Sequence, residues 1–331
     1  MNILFFSTQP YDITYFNQAN TDNTHHFRFL EYPLNEDNTA LIKDETAVCI
    51  FVNDKADAAV IRLLKEKGIR LIALRCAGFN NVDLKAAAEA GMKVVRVPAY
   101  SPHAVAEHAV TLLLALNRKI YKSYNRVRDN NFTLSGLEGF DVYGKTVGVI
   151  GTGNIGAVFC RIMLGFGCKV LAHDVYNNQE LMEAGVTYVA PETIMAQSDI
   201  ISLHCPLTQD TKHLINAHTI HQMKRGVTLI NTSRGGLIDT KAVVEALKNG
   251  HIGALGIDVY EQEEQLFFQN FSGTIIQDDV LSRLTTFPNV LVTAHQGFFT
   301  REALTQIAET TLTNIAAFEK NEPLKNEITQ G

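Results

Sequence analysis

The sequence predicts an α/β protein of two domains, each built on a parallel sheet. Short apolar runs alternate with helical patterns through the first hundred residues, and the alternation restarts on a second set of strands near residue 146. Strands separated by single helices pair in parallel through crossovers. The 331-residue length fits two domains at roughly 150 residues each.

The opening run Met1–Ser7 reads as a first strand, and Ala47–Val52 as a short buried one. A helical pattern from Ala56 to Lys67 sets Val60, Ile61, Leu63 and Leu64 on one face and stops at Gly68, a helix C-terminal signal. Arg70–Arg75 is the next strand. Cys76–Asn81 is a turn-rich loop, Ala86–Ala90 is helical up to Gly91, and Lys93–Val97 is a further strand. Pro98–Pro102 then breaks the pattern. Ser101 followed by Pro102 suits an N-cap and a first helical turn. From there we expect one long helix to about Arg128.

The second domain opens its sheet at Thr146–Ile150. Its other strands are expected at Lys169–His173, Ile200–Leu203, Thr228–Asn231, Ala254–Ile257 and Val290–Thr293. A last helix, Arg301–Glu319, is expected to return to the first domain. The division is therefore 1–100 with 299–331 for one domain and 101–298 for the other. No internal repeat or low-complexity tract interrupts it.

Composition narrows the function classes. The formal charge of −6 gives no hint of the basic face that nucleic acids need. The N-terminus has no basic lead and its apolar run is too short for a signal peptide, and no run reaches the roughly 18 apolar residues of a membrane helix. The five cysteines, at 49, 76, 160, 168 and 205, form no CxxC pair. That speaks against a disulfide framework or a structural zinc, and for a reducing cytoplasm. No His/Cys/Asp cluster has metal-ligand spacing.

Gly151-Thr-Gly153-Asn154-Ile155-Gly156 matches GxGxxG between a predicted strand and a predicted helix. The first glycine permits a tight turn, the second lets backbone approach a pyrophosphate, and the third lets helix and strand pack closely. Unpaired N–H groups at the helix start hold phosphates. Asp174 follows about 18 residues after the last glycine, at the end of the next strand. A carboxylate there accepts ribose hydroxyls and repels a 2′-phosphate, which favours NAD over NADP. This is a Rossmann-like dinucleotide site. Methyltransferases that use S-adenosylmethionine also pair a glycine loop with such an acid, but here the fingerprint sits mid-chain behind a complete α/β unit.

Three later strand ends carry candidate chemistry: Arg234 in Asn231–Asp239, Asp258, Glu261 and Glu263 after the next strand, and His295 after the last. Active sites of open α/β sheets lie at such ends. Singly, an arginine there is a surface charge, the glutamates a solvated loop and the histidine a core residue. It is their joint order that points to catalysis.

The chain resembles the D-isomer-specific 2-hydroxyacid dehydrogenases over essentially its whole length. The resemblance is carried by Gly151–Gly156, His204-Cys205-Pro206-Leu-Thr208 with Thr211, Asn231–Asp239, Asp258–Glu263 and His295. Leu266–Phe268 and Ile275–Leu284 look like the fermentative branch that interconverts pyruvate and D-lactate. It implies a Rossmann-like and a flavodoxin-like domain, with the active site in the cleft between them. Cleft closure would hinge near Pro98–Pro102 and Gly297–Arg301.

The resemblance also assigns Arg234, Glu263 and His295 as the catalytic triad. Pyruvate reduction needs a hydride at carbon, supplied by nicotinamide, and a proton at oxygen, supplied by His295. Histidine serves both directions because its ordinary pKa lies near neutrality. A carboxylate at Glu263 favours the imidazolium and orients the ring, and Glu263, not Glu261, aligns with the family acid. Arg234 offers two-pronged hydrogen bonds to a keto acid.

Backbone N–H groups of Cys76-Ala77-Gly78 are implied to bind the substrate carboxylate. Phe51, Tyr100 and Phe298 match positions that crowd its side chain, and as aromatics near strand ends they could equally be core. His204, Cys205, Pro206, Thr211, Thr232 and Ser233 are implied to surround the cofactor, without an acid–base role for His204. Asp258 would bond the nicotinamide amide or serve as a strand-end structural acid. A homodimer or homotetramer is implied, with the helix from Pro102 as a contact.

Rival readings remain within and outside the class. Other 2-keto acid reductases share every motif. Phosphoglycerate dehydrogenase is disfavoured on the expectation that no regulatory domain follows residue 331. Formate dehydrogenases carry glutamine at the Glu263 position, and L-lactate dehydrogenases open with their fingerprint. A non-catalytic NAD sensor would not need the Arg234–Glu263–His295 set.

Overall fold

The computed structural model describes residues 1–263 and 266–329. The chain divides into one compact unit of Met1–Ser101 with Phe298–Gly331 and a second of Pro102–Gly297.

In the first unit β1 (Asn2–Phe5), α1 (Pro10–Ala19), β2 (His26–Phe29), β3 (Ala47–Ile50), α2 (Ala58–Glu66), β4 (Leu71–Leu74), α3 (Leu84–Ala90) and β5 (Lys93–Arg96) follow in order. All strands pair in parallel, in the order β2-β1-β3-β4-β5. This is the flavodoxin-like winding, reversing direction between β1 and β3. β3 and β4 are buried at every position, so they read as continuous apolar runs. β2 was not foreseen. It is a half-exposed edge strand whose His-Phe-Arg-Phe sequence lacks such a run. The C-terminal helix Arg301–Glu319 packs Ala308, Leu312 and Ile315 onto Ile3, Phe5, Ala47, Leu71, Ala73 and Val95. Beyond it, backbone bonds from Ile328 N–H to Val94 O and from Arg96 N–H to Asn326 O cover the β5 edge.

The second unit opens with α4 (Pro102–Asn117) and α5 (Ile120–Arg128). The single helix expected here is two. Lys119 takes a left-handed φ of 49°. The reason lies in Asn117, whose side-chain amide donates to Phe140 O and accepts from Phe140 N–H, so that the returning chain seats against the helix end. Then come β6 (Thr146–Ile150), α6 (Asn154–Gly165), β7 (Lys169–His173), α7 (Gln179–Glu183), β8 (Thr187–Tyr188), α8 (Pro191–Gln197) and β9 (Ile200–Leu203). They are followed by α9 (Ala217–Gln222), β10 (Val227–Asn231), α10 (Thr240–Lys248), β11 (Ile252–Ile257), α11 (Asp279–Thr286) and β12 (Val290–Val292). Arg301–Glu319 is thus α12.

The seven strands are parallel, in the order β12-β11-β10-β9-β6-β7-β8. The winding reverses between β6 and β9, the place where open sheets of this kind bind ligands. One core packs α4 and α6 on the sheet through Leu113, Phe159 and Met163. The other face is covered through Ile194, Ile220, Val243 and Leu284. Among the described residues no helix is long and apolar enough to cross a membrane.

Candidate functional site

The glycine fingerprint lies at the β6–β9 reversal. Gly151 has φ +93°, and a Cβ there would stand 2.3 Å from Cys205 N. A Cβ on Gly156 would stand 2.0 Å from Gly151 O, so helix and turn touch backbone to backbone. Around Gly153 a Cβ would meet nothing within 4 Å. The turn is therefore closed on its protein side and open at its middle glycine. α6 starts at Asn154 with Gly153 as N-cap and no side-chain cap, which leaves the first-turn N–H groups, among them those of Asn154 and Ile155, for an anion.

Asp174 stands beside this turn. Its Oδ2 accepts the Thr152 N–H and hydroxyl, and its Oδ1 accepts Val175 N–H at 2.7 Å. A carboxylate has about four acceptor positions, so Asp174 keeps one for a ribose hydroxyl. The Thr232 hydroxyl, just past β10, is buried without a hydrogen-bond partner. Such a group calls for a ligand or water. An open glycine turn, uncapped amides, an acid and an orphan hydroxyl fit a dinucleotide.

Other residues assigned to the cofactor are partly committed to the protein. Ser233 Oγ donates to Cys205 O at 2.7 Å, tying the β10 end to the β9 end. Thr211 Oγ1 donates to Pro206 O at 2.7 Å and closes the turn after β9. His204 packs 4.9 Å from the Phe159 ring with Nε2 2.8 Å from Ser202 Oγ. Burial pushes its imidazole down to about 3, which keeps it neutral and out of acid–base work. Burial also pushes the Cys205 thiol up to about 11. All five cysteines are buried, and Cys49, Cys160, Cys168 and Cys205 are in no disulfide.

β10, β11 and β12 are neighbours, so their carboxyl ends bring Arg234, Glu263 and His295 to one rim. His295 Nδ1 lies 2.9 Å from Glu263 Oε1. A carboxylate only accepts, so Nδ1 carries a hydrogen. Glu263 is itself fixed, because its Oε2 accepts Tyr260 N–H at 2.8 Å. Glu261 is turned elsewhere, 2.7 Å from His213 Nε2 and 3.3 Å from Thr240 Oγ1. Arg234 Nη1 donates to Ser233 O at 2.7 Å. The adjacent Gly235 is required by packing, since a Cβ would lie 2.1 Å from the Tyr260 carbonyl carbon.

Asp258, 1% exposed, accepts the Thr293 hydroxyl and Gln296 N–H at Oδ1 and Gly297 N–H at Oδ2. Burial alone would push this carboxyl up. The bonds from His108 and Thr293 more than offset it and hold the group below the usual carboxylate range. These bonds anchor Asp258 at the strand end.

The first unit gathers the remaining candidates. Phe298 lies 6.0 Å from Phe51 and 6.2 Å from Tyr100 between ring centroids. The Cys76–Gly78 loop is pinned by Arg96 Nη1 on Ala77 O and by Val97 N–H on Cys76 O. Sequence reasoning missed the post that supports this cluster. Arg75, 2% exposed, donates to Phe6 O and Ser7 O, pairs with Asp12 at 3.3 Å and stacks its guanidinium 5.2 Å from the Phe51 ring. An arginine in a run that must be buried was the available signal. Among the described residues no three His, Cys, Asp or Glu side chains are grouped to hold a metal ion.

Residues 110–297 match the model of the D-isomer specific 2-hydroxyacid dehydrogenase NAD binding domain. The chain is 52% identical over 328 residues to D-lactate dehydrogenase of Escherichia coli K12, covering 99% of this chain and 100% of that one. It is 51% identical over 326 residues to 2-hydroxyacid dehydrogenase homolog 1 of Schizosaccharomyces pombe, covering 98% of each. The apo structure of the Escherichia coli D-lactate dehydrogenase superposes with a TM-score of 0.92 at 50% identity over 99% of this chain and 100% of that one. The NAD-complexed D-isomer specific 2-hydroxyacid dehydrogenase of Lactobacillus delbrueckii ssp. bulgaricus gives 0.82 at 30% identity, over 99% of this chain and 100% of that one. On this likeness along its whole length, the chain is an NAD-dependent enzyme and belongs to the D-isomer-specific 2-hydroxyacid dehydrogenases.

Proposed function

We propose that the chain interconverts pyruvate and D-lactate. The observation that carries the mechanism is the 2.9 Å bond between Glu263 Oε1 and His295 Nδ1 on the rim that also bears Arg234. When bound, NADH supplies the hydride for reduction and NAD accepts it in the reverse direction. His295 Nε2–H gives its proton to the carbonyl oxygen as that oxygen gains charge. In the reverse direction neutral Nε2 takes the hydroxyl proton. Glu263 keeps the hydrogen on Nδ1 and the ring aimed. Arg234 holds the keto acid through charge-assisted hydrogen bonds.

The amides of Cys76, Ala77 and Gly78 are proposed to bind the carboxylate. Clustered Phe51, Tyr100 and Phe298 would favour a small side chain. Rates of NADH oxidation across pyruvate, 2-ketobutyrate, phenylpyruvate, 2-ketoisocaproate, glyoxylate and hydroxypyruvate test the substrate. A higher kcat/KM for a bulkier acid would remove the lactate assignment, and NADH binding without turnover would make the chain a sensor.

Asp174 is proposed to read the ribose hydroxyls. Asp174→Ala should weaken NADH binding about ten- to a hundredfold, since hydrogen bonds to a charged group contribute about 1.5–3 kcal/mol. NADPH should lose far less. Fluorescence titration with both nucleotides checks this, and equal losses would refute it.

Two further proposals concern the whole molecule. Ile120, Tyr124 and Val127 repeat along one face of α5 at 58%, 59% and 49% exposure, followed by exposed Phe132 and Leu134. We assign this apolar surface to a second copy of the chain. Light scattering should give a homo-oligomer that Ile120→Asp with Tyr124→Asp dissociates. A monomeric parent would defeat the assignment. Cys49, Cys160, Cys168 and Cys205 are buried thiols in no disulfide, which suits a reducing compartment, so we propose a cytoplasmic location, which cell fractionation can check.

A further inference from the structure

His108 lies on α4, outside every motif read from the sequence. Its side chain is 16% exposed. Its Nε2 stands 3.0 Å from Thr293 Oγ1 and 3.3 Å from Asp258 Oδ1. The Thr293 hydroxyl has one proton and gives it to Asp258 Oδ1. Toward His108 that oxygen can only accept, so His108 Nε2 carries a hydrogen. The chain of donors therefore runs from His108 through Thr293 to Asp258.

Asp258 uses these bonds to grip the turn that bears His295. Its main-chain carbonyl accepts His295 N–H at 2.8 Å. Its carboxylate takes the next two amides, Gln296 N–H and Gly297 N–H, each at 2.7 Å. Three consecutive amides thus converge on one residue. His295 needs this hold, because its φ of 52° lies in the left-handed region. Such a conformation is strained for a residue with a Cβ and persists only where surrounding structure over-determines it. The turn is also pressed against both partners. A Cβ at Gly297 would lie 2.9 Å from Asp258 Oδ2 and 3.6 Å from His108 Cδ2.

We propose that His108 is a positioning residue for the proton donor. By donating from Nε2 it locks Thr293 and Asp258, and the locked Asp258 holds His295 in its strained turn with the ring on Glu263. His108 touches neither substrate nor cofactor in this scheme. The inference rests on His295 being the acid–base group.

The test compares the parent with His108→Gln, His108→Leu, Thr293→Val, the double variant His108→Leu/Thr293→Val, and His295→Gln. The readouts are kcat, KM for pyruvate, NADH affinity and Tm. Glutamine keeps a donor near the Nε2 position, whereas leucine keeps only bulk. His108→Leu should lower kcat about tenfold to a hundredfold, the range that a misplaced reacting group produces. KM and NADH affinity should move far less. His108→Gln should recover most of kcat. Thr293→Val should cut the same chain, so the double variant should be no worse than either single one.

Parent-like kcat in His108→Leu and Thr293→Val overturns the proposal. So does a glutamine variant as slow as the leucine variant, or a lower Tm with unchanged kcat. If His108→Leu does not fold, Thr293→Val and His108→Gln still decide between these outcomes. Full activity in His295→Gln would instead overturn the reading on which the proposal rests, and the proposal with it.

Discussion

His295→Gln should reduce pyruvate about 10²–10⁴-fold more slowly than the parent, the usual contribution of a positioned acid or base. Glutamine keeps a polar amide near the Nε2 position but has no proton to release near neutral pH. The hydride donor and Arg234 are untouched, so NADH should still bind with parent-like affinity. A variant that binds NADH and fails in kcat locates the loss in proton transfer. Steady-state kinetics in both directions, beside a fluorescence titration, give the answer. A fall of less than about tenfold would mean that water or another residue delivers the proton. His204 is no candidate for that part, because burial holds it neutral with its Nε2 on Ser202.

Arg234→Lys should lower kcat/KM for pyruvate about a hundredfold while leaving Tm near the parent value. Lysine keeps the charge and loses the planar fork, so one of two charge-assisted bonds to the keto acid goes. Each such bond contributes about 1.5–3 kcal/mol, and about 1.4 kcal/mol is a factor of ten. The bond from Nη1 to Ser233 O aims the guanidinium. Ammonium on a longer free stem has no equivalent fixture. The loss should appear mainly in KM if the arginine binds ground and transition states alike, and in kcat if it acts on the developing oxyanion. Parent-like kcat/KM would remove Arg234 from substrate binding.

Much of the fold was legible because parallel sheets bury both faces. β3, β4 and β9 are short apolar runs for that reason. The glycine fingerprint was legible for a different reason. At Gly151 and Gly156 backbone lies where a Cβ would be, so the residue type is dictated locally. The α4–α5 break was not legible, since it depends on Asn117 meeting Phe140, 23 residues later. The same limit hid the supports of the site. His108 reaches Thr293 across 185 positions, and Arg75 gathers backbone oxygens from β3 and from the turn after β1. No local pattern in either segment encodes such a partner. Arg234, Glu263 and His295 were read through their joint register, whereas the bonds that Asp258 makes to Gln296 and Gly297 lie beyond any local pattern.

The first unit is assembled from both ends of the chain, and this bears on how the protein is made. Its sheet can be complete once Ser101 leaves the ribosome, yet the helix that covers Ile3, Phe5, Leu71 and Val95 begins at Arg301. About 200 residues intervene, which at about 5–20 residues per second takes roughly 10–40 s. For that interval the nascent sheet lacks the side chains of Ala308, Leu312 and Ile315. The second unit has no such wait, because Pro102–Gly297 is continuous and can fold as it emerges. Synthesis thus completes the later-encoded unit first, and the earlier one is exposed to chaperones, or to aggregation, until the last helix arrives.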